Sequence, residues 1–438
     1  MRNRVKGLQF IILILIAFFG GYYFGVNKIF LDWKNYKPVI SISSKEPPPS
    51  LSNLDFSNFW AVWQSLENNY YDKSKLDPSK MLNGAISGLV QSIEDPYTIY
   101  LPPVSNNDFK QGLAGQFQGI GAELGIKDKK IIIIAPLSGS PAQKAGVKAG
   151  DTVLKVDGAS TEGWTLSQTV SKIRGPKGTA VILSILHKGS KNPQDIKIIR
   201  DVIVVKSIDG FVKKIADIEN IKLTSVLNAH KNDKIIYLRL SQFGDSTNKD
   251  WLSLVNSLNL KVQDPSASFD KTQDKSSGQG NFKGIVLDLR NNPGGYLTDA
   301  VFIASEFLKE GTPVVREETG GREKSVLKVS RRGLFVDTPI VILINKGSAS
   351  ASEIVSGALK DNGRVKLVGE TSFGKGTIQQ AEELGSGAGL HVTIAKWLTP
   401  NGTWVNGKGL VPDISVSLDP KDQSRDFQLE KAIEELVK

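Results

Sequence analysis

The chain contains no cysteine and only three histidines, His187, His230 and His391, no two of them within ten residues of each other. The first absence removes disulfides, thiolate chemistry and cysteine-based zinc sites. The second leaves no compact histidine metal motif. Concentrated charge is missing too. The formal charge is +10, yet the 55 lysines and arginines are spread over all 438 residues, with no basic run and no interleaved aromatics. Nucleic-acid binding needs a clustered basic footprint, so that class of partner is set aside.

One long apolar run is present. "GLQFIILILIAFFGGYYFGVN", residues 7–27, has no charged residue between Lys6 and Lys28 and follows Arg2, Arg4 and Lys6. A run of ~20 apolar residues spans a bilayer as a helix. The basic flank stays cytoplasmic, which places everything after Lys28 outside. A cleaved signal peptide is the alternative. The run is long for such a segment, and no A-x-A site follows it. Residues 1–28 therefore read as a cytoplasmic stub and a single-pass anchor in the cytoplasmic membrane, with the rest periplasmic or extracellular.

Beyond the anchor the composition changes four times. Residues 29–54, including "KPVISISSKEPPPSLSN", read as an extended linker, since prolines deny helix and serines favour solvent. Residues 55–114 carry apolar side chains at helical spacing: Phe59, Val62, Trp63 and Leu66, then Met81, Ile86, Leu89 and Ile93. Residues 115–205 alternate strand-like runs ("KIIIIAPL", "DTVLKVDG", "AVILSILHKG", "IKIIRDVIVV") with glycine turns and two short helices, forming a compact mixed domain. From 206 to 418, strands such as "KIIYLRL", "GIVLDLR", "PIVILIN" and "RVKLVGE" alternate with helices such as "LTDAVFIASEFL" and "ASEIVSGAL". That order argues for an α/β layer with largely parallel strands. The polar stretch 261–282 interrupts it and reads as a disordered surface insertion. Residues 419–438 end in a terminal helix.

"INKGSASASEI", residues 344–354, packs three serines between a strand and a helix. The plain reading is a capping box, with Ser350 three residues before Glu353. The sharper one is a nucleophile at a helix N-terminus, where free N–H groups and the dipole favour developing negative charge. A serine nucleophile needs a base. His391 sits on an apparent strand among apolar neighbours and reads as a sheet residue. Lys375, between two glycines in "VGETSFGKGTIQQ", is the stronger candidate, provided its pKa is lowered from ~10.4 toward ~7. Gln379 can orient the amine without adding charge, which a carboxylate in its place could not. The same segment imitates a phosphate-binding loop, G-x-x-x-x-G-K. However, Gly376 stands where a metal-ligating hydroxyl belongs, and the Asp-bearing strand precedes the lysine loop instead of following it. "DLRNNPGGYL", residues 288–297, exposes glycine N–H groups at a strand end, the makings of either an oxyanion hole or a plain turn.

Taken together and in this order, "DLRNNPGG", "GSASASEI" and "FGKGTIQQ" resemble the carboxyl-terminal processing proteases, tail-specific serine proteases with a Ser/Lys pair. The resemblance implies an α/β multidomain chain: helical lead, PDZ-like domain, then a crotonase/Clp-protease-like core. It implies Ser350 as nucleophile, Lys375 as general base with Gln379 as its partner, and the N–H groups of Gly295 and Ala351 as oxyanion donors. Ser348 and Ser352 would be structural. "FQGIGAEL" would be the carboxylate-binding loop of the PDZ-like domain, with Gly119, Ile120, Gly121 and Ala122 holding a chain terminus. Leu166 and Val170 would face its side chain, and Arg174 would couple the PDZ-like domain to the protease. The implied partners are protein or peptide substrates with apolar C-termini and further copies of the chain. Neither metal nor organic cofactor is implied. A catalytically silent scaffold binding C-termini is the alternative, and it would lack Ser350 or Lys375; both are present.

Overall fold

A computed structural model describes Phe18 and residues 29–34, 37–42, 54–127, 130–137, 139–148, 150–164, 166–258, 281–417 and 425–438. The proposed anchor, apart from Phe18, lies outside the described residues. Among those described, no helix is long and apolar enough to cross a membrane. The segment expected as an extended linker contains an antiparallel hairpin, Ile29–Lys34 with Lys37–Ile42. Of the polar insertion, residues 261–280 lie outside the described residues. Its last expected residue, Phe282, instead opens a core strand.

Contacts divide the chain into two compact units: residues 1–109 with 318–322 and 377–397, and the remainder. In the first, helices Ser57–Asn69 and Pro78–Gln91 supply the expected helical lead. Strand Ile99–Leu101 pairs with Gly389–Leu398, which also pairs with Thr377–Glu383. His391 is buried there, its ring 4.5 Å from that of Phe109. It is a packed sheet histidine, as its alternation predicts.

The second unit holds the mixed domain and the α/β core. The mixed domain is a sheet in the order 194–199, 180–186, 152–156, 130–136, 122–127, closed over Ile133, Val181, Leu183 and Ile185. "IKIIRDVIVV" reads as one run but makes two strands. Gln194–Ile199 belongs to that sheet, and Asp201–Val204 pairs separately with Gln116–Gly119. Arg200 makes the break. It is buried, and its guanidinium donates to the carbonyls of Ile173 (2.7 Å) and Ala180 (2.7 Å).

The core sheet runs 208–214, 234–240, 282–288, 340–344, 366–369, 414–415. Its first pair is antiparallel and the rest are parallel. Period-two alternation sends Val286, Val341, Leu343 and Val368 to one face, where Leu429, Ala432 and Ile433 of the terminal helix Phe427–Val437 cover them. Both faces are buried, which explains the unbroken apolar strings "IVL" and "IVILI". Strands Pro313–Thr319 and Arg322–Lys328, joined by Gly320 and Gly321, form a hairpin outside this sheet.

Candidate active site

Three neighbouring parallel strands end side by side: Phe282–Asp288, Ile340–Ile344 and Lys366–Gly369. The segments leaving their carboxyl ends are the three motifs singled out in the sequence. In open α/β sheets this is the edge at which ligands bind.

Ser350 immediately precedes helix Ala351–Asp361 and is half-buried. Its backbone is unusual, with φ 53° and ψ −114°. A non-glycine residue at positive φ costs about 1–3 kcal/mol and persists only where its surroundings impose it. The flanking serines help impose it. Ser348 Oγ donates to Leu289 O (2.8 Å), and Ser352 Oγ donates to Asn292 O (2.9 Å). Both are fully buried and hold the serine turn against the 288–296 loop. Ser350 is the one of the three that stays half-exposed.

Glu353 does far more than complete a cap. It is fully buried, and its carboxylate accepts four hydrogen bonds. Oε2 takes the N–H groups of Ser350 (2.9 Å) and Lys375 (2.9 Å). Oε1 takes Ser372 Oγ (2.6 Å) and the Gly374 N–H (2.7 Å). A buried carboxylate satisfied this fully is strongly held, and it pins the serine turn to the lysine turn. The Phe373 N–H adds a second tie, to Ser348 O (2.9 Å).

The 288–296 loop closes the third side. A Cβ built on Gly294 would lie 2.7 Å from Ser350 Cβ and 2.9 Å from Ala351 N, so only glycine permits the approach. Gly295 meets Phe243 just as closely. Asn292 is buried and braces the loop, accepting the Gly294 N–H (2.9 Å) and donating to Leu240 O (2.8 Å). Among the described residues, the N–H groups of Gly295 and Ala351 donate to no protein acceptor. Backbone donors beside a strained serine are what a developing oxyanion requires.

Lys375 is half-buried in the turn before strand Thr377–Glu383. The phosphate-loop imitation fails here on two counts. Gly374 and Lys375 spend their N–H groups on Glu353, and a strand follows the lysine where a phosphate loop needs a helix. Gln379 belongs to the first unit, where its Nε2 donates to Thr377 Oγ1 (2.8 Å) and Thr393 Oγ1 (3.1 Å). Both amide protons are thus used, and its carbonyl oxygen is the end left for accepting.

In the mixed domain, Gly119 ends strand Gln116–Gly119 and Ala122 opens strand Ala122–Lys127. Between them Ile120 is a core residue, and Gly121 takes φ 72° against Ser140. Strand Ala122–Lys127 is the edge of its sheet. Helix Leu166–Ile173, which contains Val170, packs beside that edge. Arg174 lays its guanidinium over the Phe117 ring, 4.8 Å from the centroid.

Sequence reasoning missed Glu353 as more than a cap, and missed Asn292 and Asn345 altogether. Asn345 Nδ2 donates to Asn291 Oδ1 (2.9 Å), and the Asn291 N–H donates back to Asn345 Oδ1 (2.9 Å), clasping two of the motif turns. The doubled asparagine in "RNNPGG" was the available signal.

Residues 234–416 match the model of peptidase family S41, residues 109–186 that of the PDZ domain, and residues 15–103 that of the activating protease CtpB N-terminal domain. The carboxy-terminal processing protease CtpB of Bacillus subtilis is 32% identical over 400 residues, covering 90% of this chain and 74% of its own. CtpA of the same organism is 34% identical over 369 residues, covering 84% and 70%. A crystal structure described as an S41 protease from Bacteroides fragilis aligns with a TM-score of 0.54 at 14% identity, over 90% of this chain and 98% of that one, and so shares the fold. The chain is a serine-type peptidase with a PDZ domain and belongs to peptidase family S41, among the carboxy-terminal processing proteases.

Proposed function

We propose that this chain is a membrane-anchored, extracytoplasmic endopeptidase that selects proteins by their C-termini and cleaves them by acyl transfer to Ser350, with Lys375 as base. The observation that carries the reading is the Glu353 carboxylate, which holds the backbones of Ser350 and Lys375 on one oxygen. Ser350 Oγ attacks the scissile carbonyl carbon while its proton passes to Lys375 Nζ, which must be neutral to receive it. The oxyanion settles on the N–H groups of Gly295 and Ala351. Collapse expels the amine with the proton from Lys375, and water reverses the sequence on the ester. No step requires a cofactor.

Substrate selection follows from the PDZ domain. The edge strand Ala122–Lys127 can accept one more strand, and the loop at Ile120, Gly121 and Ala122 offers N–H groups to a terminal carboxylate. Val170 and Leu166, on the neighbouring helix, suit an apolar last side chain. Arg174, stacked on the strand that leads into this loop, would pass occupancy on to the protease core. Arg174→Ala should then slow cleavage of long substrates more than of short peptides; equal rates on both would remove that role. Anchoring is supported by the uncharged run 7–27. Assembly into homo-oligomers is supported by the exposed apolar residues of the helical lead, Trp60 (61%), Val62 (61%) and Leu66 (39%).

The test is a pair of otherwise identical unfolded substrates, one ending in an apolar residue and the other in aspartate. The soluble chain should cleave the first at least tenfold faster at limiting substrate. Equal rates would contradict selection by the C-terminus.

A further inference from the structure

Arg290 stands at the entrance of the loop that carries Gly294 and Gly295, and its guanidinium is shared by two carboxylates. Nε and Nη2 hold Asp288 (2.9 and 2.6 Å), which lies two residues earlier on the same segment. Nη1 and Nη2 also form a fork with Asp426 (2.9 and 2.8 Å), and Nη1 reaches Gln428 Oε1 (3.1 Å). Asp426 and Gln428 lie at the head of the terminal helix, which contributes no residue to the reaction. They are the ties from this side chain to a different element of the fold. Asp426 has a second task, capping that helix by accepting the Leu429 N–H (2.9 Å).

From Arg290 the connection to the site is short. The next residue, Asn291, has φ 57° and is clasped to Asn345, whose backbone N–H donates in turn to Ser348 Oγ (3.0 Å). Ser348 begins the serine turn. A segment with a non-glycine residue in the left-handed region holds that shape only where its neighbours impose it. The clasp restrains it from the serine side, and the Asp426 fork restrains it from the terminal helix. Asp288, fixed at the end of core strand Phe282–Asp288, holds the same guanidinium from the sheet, and the Asp426 fork adds the tie to the terminal helix.

We propose that Asp426 is a positioning residue for catalysis: through its bidentate pair with Arg290, the terminal helix sets the loop bearing the Gly295 oxyanion donor. This rests on the Ser350 and Gly295 assignments of the proposed function.

The fork can be separated from the cap. Serine and asparagine cap helices about as well as aspartate, so Asp426→Ser and Asp426→Asn keep the cap and lose the carboxylate fork. Ile433→Ala, a buried change later in the same helix, weakens the helix and leaves the fork intact. The full chain of each variant, in detergent, would be assayed for kcat and KM on an apolar-tailed substrate and for Tm, beside Ser350→Ala. The expected result is a fall in kcat of about tenfold or more for both Asp426 variants, with KM within about twofold. Ile433→Ala should lower Tm and keep kcat at a temperature well below melting. Unchanged kcat in a folded Asp426 variant overturns the inference, and so does an equal loss of kcat in Ile433→Ala. Should one Asp426 variant not fold, the other decides. Full activity of Ser350→Ala would instead overturn the proposed function, and this inference with it.

Discussion

Ser350 and Lys375 donate their backbone N–H groups to the same atom, Glu353 Oε2, each at 2.9 Å. Neither residue is near the other in sequence, and their strands are neighbours only in the folded sheet. The carboxylate that joins them is completely buried. It therefore stands at the centre of the account.

Glu353→Gln tests it. Glutamine keeps one acceptor oxygen and turns the other into a donor facing N–H groups. At least one buried donor is then left unpaired, at about 1–3 kcal/mol each. Stability should fall by that order, and kcat by about 100-fold as Ser350 loses its imposed backbone. A Gln variant with unaltered Tm and turnover would show the clamp to be incidental.

The three serines should separate cleanly. Ser348→Ala and Ser352→Ala each strip a buried carbonyl of a hydroxyl donor and should cost about 1–2 kcal/mol of stability. Turnover by the folded variants should stay within about tenfold of the parent, while Ser350→Ala removes it. Denaturant melts beside initial rates make the comparison. Loss of stability and activity in the reverse pattern would move the nucleophile to a neighbouring serine.

Burial raises the Asp299 carboxyl to about 6, with the charge of Asp245 adding to the effect against a hydrogen bond from Asn248. Its folded pKa lies above the unfolded value of ~3.9. The folded state therefore holds the extra proton between those values, and stability from this group falls as pH rises from about 4 to about 6. Asp299→Asn should be more stable than the parent at pH 7, by on the order of 1 kcal/mol, with the gap closing near pH 4. Paired thermal melts at the two pH values measure it. A gap that widens toward acid would give the shift the wrong sign.

The helix Ser57–Asn69 has no buried residue and shows Trp60, Val62 and Leu66 outward. If this face joins copies, Trp60→Glu should lower the mass seen by sedimentation without changing the far-ultraviolet spectrum. An unchanged mass would remove the helical lead from the assembly.

Much of this was legible in advance where the signal was local. The apolar strings "GIVLDLR" and "PIVILIN" follow from patterns a few residues long, whereas the structural roles of Ser348 and Ser352 came with the family resemblance and rest on carbonyls 59 and 60 residues away. What stayed hidden depends on distant partners. Glu353 has the spacing of a cap residue, and nothing near it announces donors at 372, 374 and 375. Arg200 divides an apolar run because it satisfies carbonyls 20 and 27 residues away. The hairpin around Gly320 (φ 60°) and Gly321 (φ 78°) was missed, although adjacent glycines are the signature of a type I′ turn. The charged residues around them obscured the strand pattern.

The central claim, that Ser350 is the nucleophile and Lys375 its base, is tested most directly by turnover of three chains. The soluble protein from about Ser50 onward, its Ser350→Ala form and its Lys375→Ala form would be incubated with an unfolded protein ending in an apolar tail. Cleavage by the unaltered chain alone, with all three melting alike, is the predicted result. Equal cleavage by all three would contradict the Ser/Lys assignment.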